Sequence, residues 1–180
     1  MKQKRCKVCQ ELFTPIQFAQ TACGYKCAII HSKNLKLKKE LKDWKVEKAI
    51  LKDKLKTLGQ YEAEAKKSFQ KWIRMRDDKQ PCISCGIEQT DLWDGGHYKK
   101  AEIYSGVIFD ENNCHKQCRK CNRFLNGNEL NYRQGLIQRY GIDFADHIEQ
   151  KANETRNHKF TKEELIAKKL KYDLLIKEKK

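Results

Sequence analysis

The sequence predicts an α+β chain assembled from small stapled units around a long helical middle. Three observations carry this. Only 39% of the 180 residues are apolar against 35% charged, too little apolar material to fill one thick core. Eight of the nine cysteines fall into two sets of close pairs, which lets a chain short of core cross-link itself. Between those sets, Ala28 to Asp77 holds a single glycine, Gly59, and no proline, with Lys, Leu, Glu and Ala dominating. The predicted units are an N-terminal cysteine module over 1–28, a charged helical segment over 29–79, a second cysteine-bracketed domain over 80–141 and C-terminal helices over 142–180.

Cys6-x2-Cys9 and Cys23-x3-Cys27 form the first set, separated by thirteen residues that include Phe13, Pro15 and Phe18. That length suits a short hairpin or knuckle around one tetrahedral zinc ion. Four thiolates leave no open coordination position, so the expected role is structural. In the helical segment, apolar residues recur at alternating spacings of four and three: Leu37, Leu41, Trp44, Leu51, Leu55, Leu58, Ala65, Phe69 and Trp72. This is a coiled-coil-like seam with Lys48 and Glu62 falling on it, and Gly59 invites a break. A helical hairpin, a dimer stalk and a long helix packed on the next domain all fit.

In the second cysteine-bracketed domain, the aromatic and apolar run from Tyr104 to Phe109 predicts a β-hairpin. Helical spacing follows at Leu130, Tyr132, Leu136, Ile137 and Tyr140, ending before Gly141. A further helix covers about Asp143 to Asn153. The last opens at Thr161, where Thr161 and Glu164 match a capping box, and runs through Leu165, Leu170 and Leu174 to a Lys-rich end.

The net charge of +15 makes a polyanion the expected partner, because neutralising phosphates releases condensed counterions. No stretch approaches the ~20 apolar residues needed to span a bilayer. Met1 to Arg5 is basic and is followed at once by Cys6 and polar residues, not by an apolar signal core. The expected location is therefore a reducing cytoplasm, where paired cysteines read as zinc ligands rather than disulfides.

Cys82-x2-Cys85 and Cys118-x2-Cys121 form the second set and bracket His97, Asn112, Asn113 and, directly after Cys121, Asn122. A zinc ion on these four thiolates would stiffen a small domain and leave His97 between its two clamped ends. Phosphodiester hydrolysis needs an activated water, charge neutralisation on the phosphate and help for the leaving oxygen. A neutral His supplies the base, and a divalent cation of the Mg²⁺ type supplies the rest. Lys99, Lys100, Lys116, Arg119, Lys120, Arg123 and Arg133 cluster around this region as candidate phosphate contacts. No base-reading helix is evident, so DNA shape is the expected cue. Cys114 has no partner by counting and is expected to pack as a small apolar residue; His115 is expected to be structural.

His97, Asn113 and Asn122 resemble, in order and spacing, the HNH endonucleases, whose site is a ββα-metal fold of two strands and a helix. That resemblance implies His97 as general base, Asn113 as the residue that positions its loop, and Asn122 at or near the catalytic ion. Many members carry an acidic metal ligand directly before the His; here that residue is Gly96, so the substitute ligand is either Asp94, three positions before His97, or His97 itself. The wider order narrows the resemblance. It runs from Lys4-Arg5-Cys6-Lys7-Val8-Cys9 through Asp94-Gly95-Gly96-His97-Tyr98 and Phe109 to Cys118, then Asn126-Gly127-Asn128 and Tyr132 to Ile137. This is similar to the NinG, or Rap, family of lambda-like phages. The family implies a recombination endonuclease cutting branched DNA such as Holliday junctions and D-loops with Mg²⁺ or Mn²⁺, working among phage or host recombination proteins. A non-catalytic zinc-containing DNA binder or an adaptor of phage DNA metabolism is the alternative, and a homodimer through the Leu37–Trp72 seam fits a junction-cutting enzyme.

Overall fold

The computed structural model describes residues 2–179. The chain divides between Lys56 and Thr57 into two compact units. In the first, β1 (Lys4–Arg5) pairs antiparallel with β2 (Leu12–Phe13), and the chain then enters α1 (Tyr25–Lys54) with Cys27 in its first turn. No residue of α1 is buried.

The helical segment expected over 29–79 is thus two helices, and their break does not fall at Gly59. It falls at Leu55–Thr57, because Thr57 caps α2 (Leu58–Arg76) with a reciprocal box. The Thr57 hydroxyl accepts from Gln60 N, while Gln60 Oε1 accepts from Thr57 N at 2.9 Å. Two otherwise orphaned amides are satisfied, and Gly59 sits harmlessly in the first turn.

In the second unit α2 lies along α5 (Lys162–Glu178). Tyr61, Ala65, Phe69 and Ile73, each four residues apart, bury against Leu165, Tyr172 and the surrounding core. Phe69 meets Tyr172 edge-on at 4.9 Å. The α5 capping box at Thr161 forms as expected from the sequence. A second cluster joins α3 (Glu129–Tyr140) to α4 (Ile142–Glu154) through Tyr132, Leu136, Ala145 and Ile148, with Ile83 and Tyr98 packed in. Gly141 turns the chain between them at φ +91.

The strand pair lies elsewhere than the sequence indicates. β3 (Trp93–His97) and β4 (Cys114–Cys118) run antiparallel, with Trp93 opposite Cys118 and His97 opposite Cys114. The Tyr104–Phe109 run, expected to be a hairpin, is part of the connection between them and contains a short 3₁₀ turn at Ser105–Val107. Its backbone is claimed by another partner: Ser105 N and Gly106 N donate to the carbonyls of Arg156 and Thr155. A Cβ on Gly106 would lie 2.3 Å from Thr155, so the approach is too close for a strand with side chains. The true strands read WDGGH and CHKQC, glycine-rich and polar, and hide their period.

Arg76 at the end of α2 fixes β4 in place. Its guanidinium donates to Glu111 O at 2.7 Å and Cys114 O at 2.8 Å and ion-pairs with Asp77, whose carboxylate accepts from Lys116 N at 2.9 Å. Burial pushes the Asp77 carboxyl up, but Arg76 and the Lys116 amide outweigh it and hold it below its ordinary value. Among the described residues no helix is long and apolar enough to cross a membrane.

Gly135 of α3 sits so close to the Cys82–Cys85 loop that a Cβ would lie 1.8 Å from Ile83 O. Gly135→Ala must push apart two backbones. It is expected to lower unfolding free energy by about 2 kcal/mol or more, read by chemical denaturation.

Candidate functional site

Two groups of four cysteines are assembled, Cys6, Cys9, Cys23 and Cys27 in the first unit and Cys82, Cys85, Cys118 and Cys121 in the second, each with its sulfurs within 4.8 Å of one another. Both groups could hold a structural zinc ion. Their first pairs share one loop geometry. Cys6 N donates to Glu11 O at 2.9 Å and Gln10 N to Cys6 O at 3.1 Å; Cys82 N donates to Ile87 O at 2.9 Å and Gly86 N to Cys82 O at 3.0 Å. The residue after each second cysteine takes the left-handed conformation, φ 63 at Gln10 and 71 at Gly86. Backbone amides also aim at the sulfurs: Cys23 N at Cys6 Sγ, Cys118 N at Cys82 Sγ and Cys121 N at Cys118 Sγ, all at 3.4 Å. Such donors stabilise thiolates, and that chemistry fits zinc. Cys114 stands apart, fully buried in the α2–α5 core, with its thiol pKa pushed up by burial.

Beside the second group, β3 and α2 wall a cleft of about 650 Å³. His97, Asn122 and Lys100 line it, with Lys66, Lys67, Gln70 and Arg74 from α2. Asn122 arrives there on a π-helical turn, Lys120–Phe124, that starts within the second sulfur group. Gly95 lets α2 approach β3, since a Cβ there would lie 3.2 Å from the Gln70 backbone.

His97 is half-buried against Phe69, ring centres 5.9 Å apart. Its Nε2 lies 2.8 Å from Ile108 O. A carbonyl only accepts, so Nε2 carries the proton and Nδ1 keeps its lone pair. Burial lowers the imidazole pKa, only partly offset by the Ile108 carbonyl, so the ring is neutral at physiological pH. Asn113 is buried and holds the loop that follows His97. Its amide accepts from Lys99 N at 2.8 Å and donates to Lys99 O and Val107 O at 3.0 and 3.1 Å. Its neighbour Asn112 is exposed and bonds only locally, to Asp110. His115 points away from the cleft. It is buried beside Tyr132, 3.2 Å from the hydroxyl, and burial with Arg76 nearby pushes it down to about 3.

Asp94 meets Asn122 Nδ2 at 3.1 Å and Arg123 Nε at 3.0 Å. Burial raises its pKa, but these two donors outweigh that and hold it low. A carboxylate and an amide oxygen are the hard donors a small divalent cation takes, so the pair fits such an ion, with exposed Arg123 as its competitor.

The candidate phosphate contacts divide. Lys100 lines the cleft. Lys120 is exposed, and Arg119 is half-buried. Arg123 pairs with Asp94, Lys99 with Glu129 and Glu149, and Arg133 with Asp146 and Glu149. Lys116 is only 5% exposed, its ammonium on Asp78 O and over the Trp93 ring, and is a packing residue. Sequence reasoning missed Lys66, Lys67 and Arg74. With Gln70 they lie opposite the Ala65–Phe69–Ile73 stripe of α2, and that spacing was the available signal. It also missed Glu102, the one acid among the cleft residues.

The family described as Bacteriophage Lambda NinG protein matches residues 1–180. Protein ninG of Escherichia phage 933W is 35% identical over 98% of this chain and 93% of its own length. Those of Salmonella phage P22 and Escherichia phage lambda are each 34% identical over the same shares. No solved structure matches. The chain belongs to the NinG family.

Elemental analysis is expected to find two zinc ions per chain, one for each four-sulfur group. Cys121→Ser should remove one and leave the other. Stripping the second group with a chelator should abolish the near-ultraviolet circular dichroism of the second unit, because its ligands join segments far apart in sequence.

Proposed function

We propose that this NinG-family chain is a divalent-metal-dependent endonuclease acting on branched DNA, built on an HNH-like ββα-metal site. One observation carries the reading: an imidazole whose Nε2 is engaged by Ile108 O, leaving Nδ1 as its free lone pair, lines a basic cleft. Ile108 O orients the ring, so Nδ1 is the atom that takes a proton from an attacking water. Asn113 keeps the Lys99–Val107 loop from shifting, and with it the ring and the edge of the cleft. Lys66, Lys67, Arg74 and Lys100 neutralise phosphates on the strand and fix its register without reading bases. Asp94 and Asn122 would hold a Mg²⁺ or Mn²⁺ ion, which when bound would act as Lewis acid on the phosphate and leaving oxygen.

A second reading, DNA binding without cleavage, is favoured by the Arg123 ion pair that already engages Asp94. The two are separated by incubating labelled four-way, forked and linear DNA with Mg²⁺. The endonuclease reading expects nicking of the branched substrates, lost by about a hundredfold or more in His97→Ala, while gel-shift affinity stays near that of the unaltered protein. Absence of metal-dependent nicking by the unaltered protein would leave the binder.

The pH profile follows from the lowered His97 pKa. The base form persists to lower pH than an ordinary imidazole with pKa ~6.5, so the acid limb of kcat/KM should lie below that value. Lys67→Ala with Lys100→Ala should weaken binding and flatten its salt dependence by about two phosphate contacts, measured as the slope of log Kd against log salt.

A further inference from the structure

The heptad seam noted in the sequence is divided by the Thr57 cap. Its second half, with Ala65 and Phe69, is consumed against α5 and the core around it. Its first half lies on α1, whose 30 residues span roughly 45 Å and bury nothing. Ile30, Leu37, Trp44 and Leu51 occupy one row seven residues apart; Asn34, Leu41 and Lys48 occupy the other, which Leu55 continues as the residue that caps the helix. The six apolar members are each 45–74% exposed. Such a row of exposed apolar side chains along one helix marks an interaction surface.

We infer that α1 pairs with α1 of a second copy as a parallel, in-register, two-stranded coiled coil. The occupant and its direction follow from charge and polarity. With Ile30, Leu37, Trp44 and Leu51 at d and the other row at a, the flanking g positions are Lys33, Glu40, Glu47 and Lys54, and the e positions His31, Lys38, Lys45 and Lys52. In a parallel pair each g side chain faces the e side chain five residues on in the partner helix. Glu40 then meets Lys45 and Glu47 meets Lys52, against one repulsion among the flanking pairs, Lys33 with Lys38, and one within the seam, Lys48 with its own copy.

Antiparallel pairing instead sets e against e and g against g. Lys38 meets Lys45, Lys33 meets Lys54 and Glu40 meets Glu47, every pair of like sign. Polarity agrees with charge. Parallel register places Asn34 beside its own copy and Lys48 beside its own copy. Antiparallel register sets Asn34 against Leu51 and Lys48 against Leu37. Polar residues at a few a positions are a known device for fixing register at some cost in stability. A charge of the same sign along the partner, as on any nucleic-acid-binding basic helix, would not make these pairs.

The test is sedimentation equilibrium of the full zinc-loaded chain over a wide range of protein concentration. The expected result is a species of twice the 21.3 kDa chain mass. Leu37→Glu with Leu51→Glu should give the monomer mass. Val46→Glu with Ile50→Glu, equally exposed but off the seam, should leave the dimer intact. Glu40→Lys with Glu47→Lys turns four attractive contacts repulsive in the parallel pair and should raise the dimer dissociation constant on the order of tenfold or more. In an antiparallel pair it would exchange one like-charge contact for another and change nothing. A monomer at every concentration, a dimer indifferent to the seam substitutions, or one broken by the off-seam pair overturns the interface. A dimer indifferent to the Glu40 and Glu47 reversal overturns its direction. None of these readouts depends on nuclease activity, so failure here and failure of the nuclease reading are distinguishable.

Discussion

Five paired positions between β3 and β4 set the arrangement of the second unit. Cys118 at one end enters the sulfur cluster, and Cys114 at the other sinks into the α2–α5 core opposite His97. Slipping the register by one residue would exchange the two faces. A slip of β4 would turn His115 and Gln117 toward α2 and Cys114 out of the core, and a slip of β3 would turn His97 away from the cleft. The pairing is held from both sides. Arg76 and Asp77 grip the β4 backbone, and Gln117 donates to Ser84 and Gly127, each at 2.7 Å. A two-stranded ribbon alone is marginal in water, so these ties and the sulfur cluster are what keep it.

That economy explains how a chain with 39% apolar residues holds a definite site. It builds two modest cores, one around Phe69 and Tyr172 and one around Tyr132 and Leu136, with the cysteine cluster as a third. His97 touches the first core through Phe69, while Tyr132 of the second donates to Gly96 O at 2.8 Å. The residues of the cleft are therefore anchored in both cores, which suits chemistry that tolerates little misplacement.

Much of this was legible in the sequence for a physical reason. Cysteine pairs, capping boxes and helical stripes are local patterns, and the two sulfur groups, the Thr161 cap and helices α3 to α5 follow from them. The Thr57 cap is equally local, and Gly59 does not mark the break because a glycine in a first turn breaks nothing. The strand pair was misplaced because WDGGH and CHKQC lack alternation and are chosen by neighbours: α2 against Gly95, Gln117 against Gly96. The cleft's cations were hidden because they come from a helix whose position no short motif reveals. Lys116 shows the reverse error, a cation near the site in sequence whose charge is spent on Asp78 O.

Gly96 bears on how the site can change over generations. A Cβ at that position would come within 2.1 Å of Gln117 Oε1 and 3.1 Å of Asn122 Oδ1. A side chain there must displace the Gln117 amide that fills the volume. Moving that amide strains or breaks its bonds to Ser84 and Gly127. The two positions are locked together as a mutational valley, so descendants of this chain should keep glycine and glutamine as a pair or replace both.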